Sequence, residues 1–368
     1  MRKLRGRLMS AAQAILLLFA TAQALVVGLV TSLFPRHVLP RAGDVLLGII
    51  VLGTFHSGVP KAAAAETLAL ESWRDSSSLT AIKDFVVRVS DRDSPDYLSP
   101  DRRIAVFDND GTLWAEQPAY FQLLFAADRA RALLKQNPSL KQEPALSQFA
   151  EGGLGAVAAG GHSAIAGLLF ATHAGMSTDE FASEVASWLT TSRHPTKKRA
   201  YNELTYQPMR ELLKYLRDHG FQTWIVSGGG VAFMRVWVEE AYGIPAQQVI
   251  GSRVKLEYDT DSQQLIRGAE LLHLNDGPGK PAGIDQVIGR RPILAVGNSD
   301  GDYEMLDYVT SGPGPTLGVF VHHTDAKREW QYDRESSIGK LDRGLDDAAS
   351  KSWVLIDMQK DWKQVFSE

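Results

Sequence analysis

The chain contains no cysteine among its 368 residues, which excludes a disulfide scaffold, a thiolate zinc site, an iron-sulfur cluster and a cysteine nucleophile. It also lacks a basic body. The formal net charge is -4, and residues 1–65 hold seven Lys or Arg against Asp44 alone, so the remaining 303 residues carry 32 basic and 42 acidic side chains. A body that acidic lacks the electrostatic footprint of a nucleic-acid binder, and no nucleic-acid partner is expected. No internal repeat is present, and low complexity is confined to the alanine-rich leader. With 44% apolar and 22% charged residues, this is an ordinary globular composition in a chain too long for one minimal domain.

Charge is also missing from Ser10 to Phe34, a run long enough to cross a bilayer. A second apolar run, Val45 to Phe55, is followed by HSGVPKAAAA, which reads as a secretory core with a small-residue cleavage site near Ala63 to Ala65. Residues 1–65 are therefore expected to be a signal peptide or membrane anchor. The second run is taken as the working signal, with translation starting downstream of Met1, for example at Val38, and a mature end near Glu66. The expected destination is periplasmic or secreted, with membrane contact only through the N-terminal segment; an uncleaved anchor over 10–34 is the alternative.

From Glu66 to Pro100 the chain is polar apart from the amphipathic stretch Leu79 to Val89, expected to be a helix. Apolar runs without polar alternation follow at Arg103 to Phe107, Thr223 to Val226, Gln248 to Ile250, Ile293 to Val296, Leu317 to Val321 and Trp353 to Ile356, as strands covered on both faces would show. Helical patterns at Gln207 to Asp218, Val231 to Tyr242 and Ile284 to Ile288 separate several of them. The fold class is thus α/β, a doubly wound (Rossmann-like) parallel sheet. Two insertions interrupt it. Residues 117–200 read as a helical cap, with helices at Tyr120 to Lys135 and Thr178 to Leu189 around a Gly-rich bend, EGGLGAVAAGGHS. Residues 66–116 and 201–368 form the core, in which Val254 to Gly268 reads as a hairpin around a DTDS turn.

The chemistry gathers at strand ends, where open α/β proteins place their sites. Asp108-Asn109-Asp110-Gly111-Thr112 follows the first strand with two carboxylates two residues apart. One suits attack on phosphorus and the other proton transfer to and from oxygen; a calcium-like acidic loop or a surface turn would show the same residues. Ser227 precedes Gly228, Gly229 and Gly230, then a helix, which offers a hydroxyl and bare amides to a phosphate, or simply a flexible turn. Lys280 in GPGKPAGI supplies a cation. Gly297-Asn298-Ser299-Asp300-Gly301-Asp302 clusters oxygen donors of the kind Mg2+ accepts.

Taken in order, DNDGT, Ser227 in IVSGGG, Lys280 and GNSDGD resemble the four motifs of the haloacid dehalogenase superfamily over roughly 103–321, in its phosphoserine-phosphatase-like branch and its exported, nonspecific phosphatase type. The resemblance implies that Asp108 is the nucleophile, Asp110 the general acid and base, and Ser227, Gly228 and Lys280 the phosphate binders. It places Mg2+ on Asp108, the backbone carbonyl of Asp110, Asn298 and Asp302. Asn298 stands where the family usually has aspartate, so one negative charge is lost; Asp302 is expected to compensate, with Asp300 as the outsider. Superfamily members that attack carbon lack an acid at the position of Asp110, so the resemblance favours Mg2+-dependent hydrolysis of small phosphomonoesters. A phosphotransferase using the same intermediate and a catalytically silent, membrane-tethered phospholigand binder are the rivals. Trp114, Glu116, Tyr120 and Phe121 are read chiefly as hinge and core of the cap, alternatively as a wall for a cationic alcohol such as choline. Arg235 is read as structural, His322 and His323 as a surface turn, His162 and His173 are left without a role, and the chain from Trp330 onward is read as packing and surface closure.

Overall fold

A computed structural model describes residues 70–367. The expectations for the leader, including the run from 10 to 34, the second run from 45 to 55 and the cleavage site, lie outside these residues. Among the described residues no helix is long and apolar enough to cross a membrane.

The core is a seven-stranded sheet. Its strands are β1 (Ile104–Phe107), β2 (Gln222–Gly230), β3 (Val249–Asp259), β4 (Gln264–His273), β5 (Leu294–Gly297), β6 (Leu317–His322) and β7 (Val354–Asp357), in the spatial order β4-β3-β2-β1-β5-β6-β7. All neighbouring pairs are parallel except β3 and β4. Central β1 is buried at every position, as an unbroken IAVF run requires when both sheet faces are covered. It pairs with β2 on one side and β5 on the other, so the order reverses at β1 and a crevice opens beyond its C-terminal end.

Helices cover the sheet. The first, α1 (Ser77–Ser90), starts where the Ser76 hydroxyl accepts from Leu79 N and buries Leu79, Ile82, Phe85, Val86 and Val89 at helical spacing. Between β1 and β2 come the four cap helices α2 (Phe121–Gln136), α3 (Pro144–Ala159), α4 (Gly161–His173) and α5 (Thr178–Thr191), then core helix α6 (Gln207–Asp218). The cap has its own apolar centre, including Leu123, Leu146, Phe149, Val157 and Leu168. After β4 and β5 follow α7 (Gly279–Ile288) and α8 (Tyr303–Thr310).

Three local expectations are corrected. The Gly-rich segment is mostly helical, forming most of α3 and the start of α4, and its bends are confined to glycines: α3 kinks at Gly153 (φ 62°, ψ -155°), and the chain turns into α4 through left-handed Gly161 (φ 66°). Alanine favours helix strongly enough, and Phe149 and Val157 bury enough apolar surface, to outweigh the glycine penalty of about 1 kcal/mol per residue. The single helix expected over Val231 to Tyr242 is two short turns, Val231–Met234 and Val238–Tyr242. The chain breaks there because Trp237 turns inward to stack on Trp114, with ring centroids 4.0 Å apart. Finally, β2 continues through Gly230, so Gly228 to Gly230 are extended strand rather than the lead into a long helix.

The β3–β4 hairpin reaches across to the cap. Gly175 N donates to Arg267 O at 2.8 Å and Arg267 N to Met176 O at 2.9 Å, so the link between α4 and α5 extends the ladder of β4. The Arg267 guanidinium lies 3.9 Å from the centroid of the Phe181 ring in α5. Cap, hairpin and the ends of β1 and β2 thereby enclose one cavity of about 740 Å3.

Candidate active site

Asp108 continues the register of β1, its N–H donating to Val296 O at 2.9 Å, which sets it beside the Gly297-Asn298 step of β5. The chain then turns tightly: the N–H groups of Leu113 and Trp114 converge on Asn109 O, and Gly111 N donates to Trp114 O at 2.8 Å. Gly111 is in the left-handed region (φ 75°), and a Cβ there would lie 2.1 Å from Asn298 Nδ2 and 2.4 Å from Glu116 Oε1. Glycine is therefore required twice, for the backbone angle and for the close approach. Asp110 is held by Trp114, whose indole N–H donates to Asp110 Oδ1 at 2.9 Å.

Lys280, the second residue of α7, is 2% exposed and donates to Asp108 Oδ1 at 2.6 Å and Asp302 Oδ1 at 2.5 Å. Burial opposes its charge, but the two carboxylates outweigh that and raise its pKa above the ordinary lysine value. Asp302 is fully buried, and its other oxygen accepts from the N–H groups of Asn298 and Ser299. On the other side of Asp110, the Ser227 hydroxyl oxygen accepts from Gly229 N at 3.1 Å, leaving its proton to donate. A Cβ built on Gly229 would stand 3.4 Å from Ser227 Oγ and 3.5 Å from Asp110 Oδ2, so the two groups flank one spot. Asp108, Asp110, Ser227, Gly228 and Lys280 all line the same cavity, with Asn298 and Asp302 packed behind them.

Asn298 is buried at the base of this cluster. Its Oδ1 accepts from the Thr112 hydroxyl at 3.1 Å and its Nδ2 donates to Glu116 Oε1 at 2.7 Å, an oxygen that also accepts from Tyr332 OH at 2.8 Å. Asp108, Asp110, Glu116 and Asp302 thus gather four carboxylates around one lysine. Burial raises Asp110 to about 6, and it raises Asp108 and Glu116 well above their ordinary values. The charge on Asp302 adds to the burial of Asp108, and those on Asp110 and Asp108 to the burial of Glu116. Among the described residues no group of three His, Cys, Asp or Glu side chains forms a ready metal cage. The donors here are oxygens of Asp108, Asn298 and the adjoining backbone in a site with excess buried negative charge, a partial set that suits a hard cation keeping its own waters.

Several candidates stand as their favoured sequence reading had them, and others do not. Trp114 and Phe121 are fully buried, packed edge-to-face at 4.6 Å, and neither is a substrate wall; Glu116 and Tyr120 do line the cavity. Asp300 turns away, accepting backbone N–H groups from Asp342, Arg343 and Gly344. Arg235 is committed to Ala246 O. His323 is not at a surface turn: it is 1% exposed, its Nε2 donates to Gly111 O at 2.8 Å, and its Nδ1 lies 3.1 Å from Glu329 Oε2. The segment after Trp330 also does more than close the surface. It brings Tyr332 to Glu116, and Gly339, where a Cβ would fall 1.9 Å from Glu116 Oε1, seals that carboxylate in. The HH pair directly after an apolar strand was the one sequence signal for His323; Tyr332 and Gly339 had none.

The haloacid dehalogenase-like hydrolase family model matches residues 105–307, and the chain belongs to that family. No curated protein matches the sequence significantly. Solved structures that resemble it are distant. A protein of unknown function from Anaerococcus prevotii shares 15% identity, with 76% of this chain and 91% of that one covered and a TM-score of 0.46. A phosphoserine phosphohydrolase-like protein from Francisella tularensis shares 15%, covering 67% and 98%, with a TM-score of 0.37. A probable phosphoserine phosphatase from Vibrio cholerae shares 15%, covering 70% and 67%, at 0.35.

Two expected outcomes follow from the geometry. Gly111→Ala should shift the Asp110 loop against Asn298 and lower turnover roughly a hundredfold in steady-state assays, the usual order of loss for a displacement near 1 Å; near-normal turnover would mean the loop geometry is not needed. Asp110, raised from its ordinary 3.8 to about 6, keeps the folded state more protonated than the unfolded state between those values. Stability therefore falls as pH rises through that window, by on the order of 3 kcal/mol once complete. Asp110→Asn should recover that loss at pH 8 and little of it at pH 4, read from denaturation midpoints in metal-free buffer; an equal gain at both would contradict the burial argument.

Proposed function

We propose that the protein is a Mg2+-dependent phosphomonoesterase that works through a phosphoaspartate at Asp108. The observation that carries this reading is the joint position of the two carboxylates: Asp108 locked to Lys280, and Asp110 held by Trp114, facing one cavity beside Ser227. Family membership supplies the hydrolase class, and the carboxylate at Asp110 favours an oxygen leaving group over attack on carbon.

In the first step an Asp108 oxygen bonds to phosphorus while the ester P–O bond breaks, and Asp110 gives its proton to the departing alkoxide oxygen. A pKa raised to about 6 by burial lets Asp110 carry that proton closer to neutral pH than an ordinary carboxyl would. In the second step water attacks the phosphoryl group, Asp110 takes the proton back, and Asp108 is released. Ser227 OH and Lys280 Nζ donate to phosphoryl oxygens and hold them in line. Lys280, anchored by Asp302, also favours the ionised form of Asp108 against the burial and the Asp302 charge that oppose it. Bound Mg2+ would add charge neutralisation on those same oxygens, held through Asp108, the Asp110 carbonyl and Asn298; Asp302, expected from the sequence to join them, has its oxygens taken by Lys280 and the N–H groups of Asn298 and Ser299.

Asp108→Asn should leave the far-ultraviolet circular dichroism unchanged and lower turnover of a generic aryl phosphate at least about a thousandfold. Persistent activity would remove Asp108 from the chemistry. Asn298→Asp restores a charge beside Glu116 and should tighten Mg2+ binding measured by calorimetry on the substrate-free protein; an unchanged titration would place the metal elsewhere.

A further inference from the structure

The cavity that receives the phosphate is far larger than a phosphate needs, and most of its wall is apolar. Beyond Asp108, Asp110, Ser227 and Lys280 it is lined by Ile165 and Leu169 of the cap and by Val254, Leu271 and Leu272 of the hairpin, within about 740 Å3. Ligand sites of that size normally match their walls to the ligand, with a few polar groups fixing orientation. The polar groups along this wall are largely spent. Arg235 donates to Ala246 O, Arg253 to Gln286 Oε1, and Arg267 is pressed on the Phe181 ring with its Nε buried and unpartnered. His173 is held neutral, burial driving its pKa down to about 3, and it stacks on Phe125 at 4.9 Å. Leu272 and Leu274 line the cavity yet are 59% and 43% exposed, so its apolar lining reaches the solvent.

We propose that the physiological substrate is the phosphomonoester of an extended apolar alcohol, an amphiphile whose phosphate sits at Asp108 and whose chain runs between the α4 helix and the β3–β4 hairpin. The proposal rests on the phosphatase reading and names its substrate class. A compact polar ester would leave the apolar walls facing trapped water, whereas a chain removes both wall and ligand surface from water. Along the α4 and hairpin wall neither a cationic nor an anionic alcohol is matched: the guanidinium groups oppose the first, two of the three are already committed against the second, and the cavity's further carboxylates, Glu116 and Asp276, sit at the phosphate end beside Gly111 and Gly228.

The test is a series of n-alkyl monophosphates from methyl to decyl, each kept below its micelle concentration, with phosphoserine and phosphocholine as polar comparators. The wild-type value of kcat/KM should rise roughly three- to fourfold per methylene until the cavity is filled, the factor expected for burying a methylene group. Leu169→Asn should lower the octyl-to-methyl ratio tenfold or more, a ratio that cancels any shared loss of folded enzyme. Offering the decyl ester as monomer or within phosphatidylcholine vesicles separates a dispersed amphiphile from a membrane lipid as its source, and turnover in either form supports the apolar class. A flat or falling series, or polar comparators that surpass octyl phosphate, overturns the substrate class and leaves the phosphatase reading standing. Failure on every ester, methyl and aryl phosphates included, overturns both.

Discussion

Lys280 is buried between Asp108 and Asp302, and the rest of the site is arranged around that contact. A lysine taken out of water is tolerated only when its charge is matched and its donors are satisfied; removing one partner of such a set typically costs about 3–5 kcal/mol. One carboxylate follows β1 and the other closes the short turn between β5 and α8, and the lysine comes from α7, so this triad fixes three parts of the fold relative to one another. It also determines what the free carboxylates can do. Asp108 has one oxygen bound to Lys280 Nζ, and Asp302 is occupied on both of its oxygens. Within the triad only Asp108 keeps a carboxylate oxygen free toward the cavity, which is what the proposed nucleophile needs.

Around the triad the protein builds a deficit of positive charge that it does not itself fill. Asp110 and Glu116 join Asp108 and Asp302, and Asn298 stands where a further carboxylate would have deepened the imbalance. In this light Asn298 fits its surroundings. Its amide nitrogen donates to Glu116, which an aspartate could not do, and its oxygen remains on the side of Thr112 and the catalytic loop. The charge missing at position 298 is present at Glu116, which Tyr332 and Gly339 enclose from the C-terminal segment.

Much of the frame was legible in the sequence because doubly covered strands leave an unmistakable trace: IAVF, ILAV and LGVFV are unbroken apolar runs ending in DND, GNSDGD and HH. The order of the motifs and their position at strand ends then placed Asp108, Ser227, Lys280 and Asp302 together. What could not be read depends on non-local packing. Trp237 breaks a helix that periodicity supports because Trp114, far away in sequence, offers it a stacking face. The segment EGGLGAVAAGGHS carries every local signal of a loop, yet the cap core holds most of it helical and leaves the bends to Gly153 and Gly161. His323, Tyr332 and Gly339 reach the site only through the long connection after β6, whose path no local pattern encodes.

The central claim is that phosphorus is passed to a side chain before it reaches water, and the most direct measurement is to look for that bond. Enzyme quenched in acid during turnover of an aryl phosphate, digested and analysed by mass spectrometry, should carry a phosphoryl group on the peptide containing Asp108. Rapid turnover with no protein-bound phosphoryl group at any quench time, or one on a different side chain, would contradict the account.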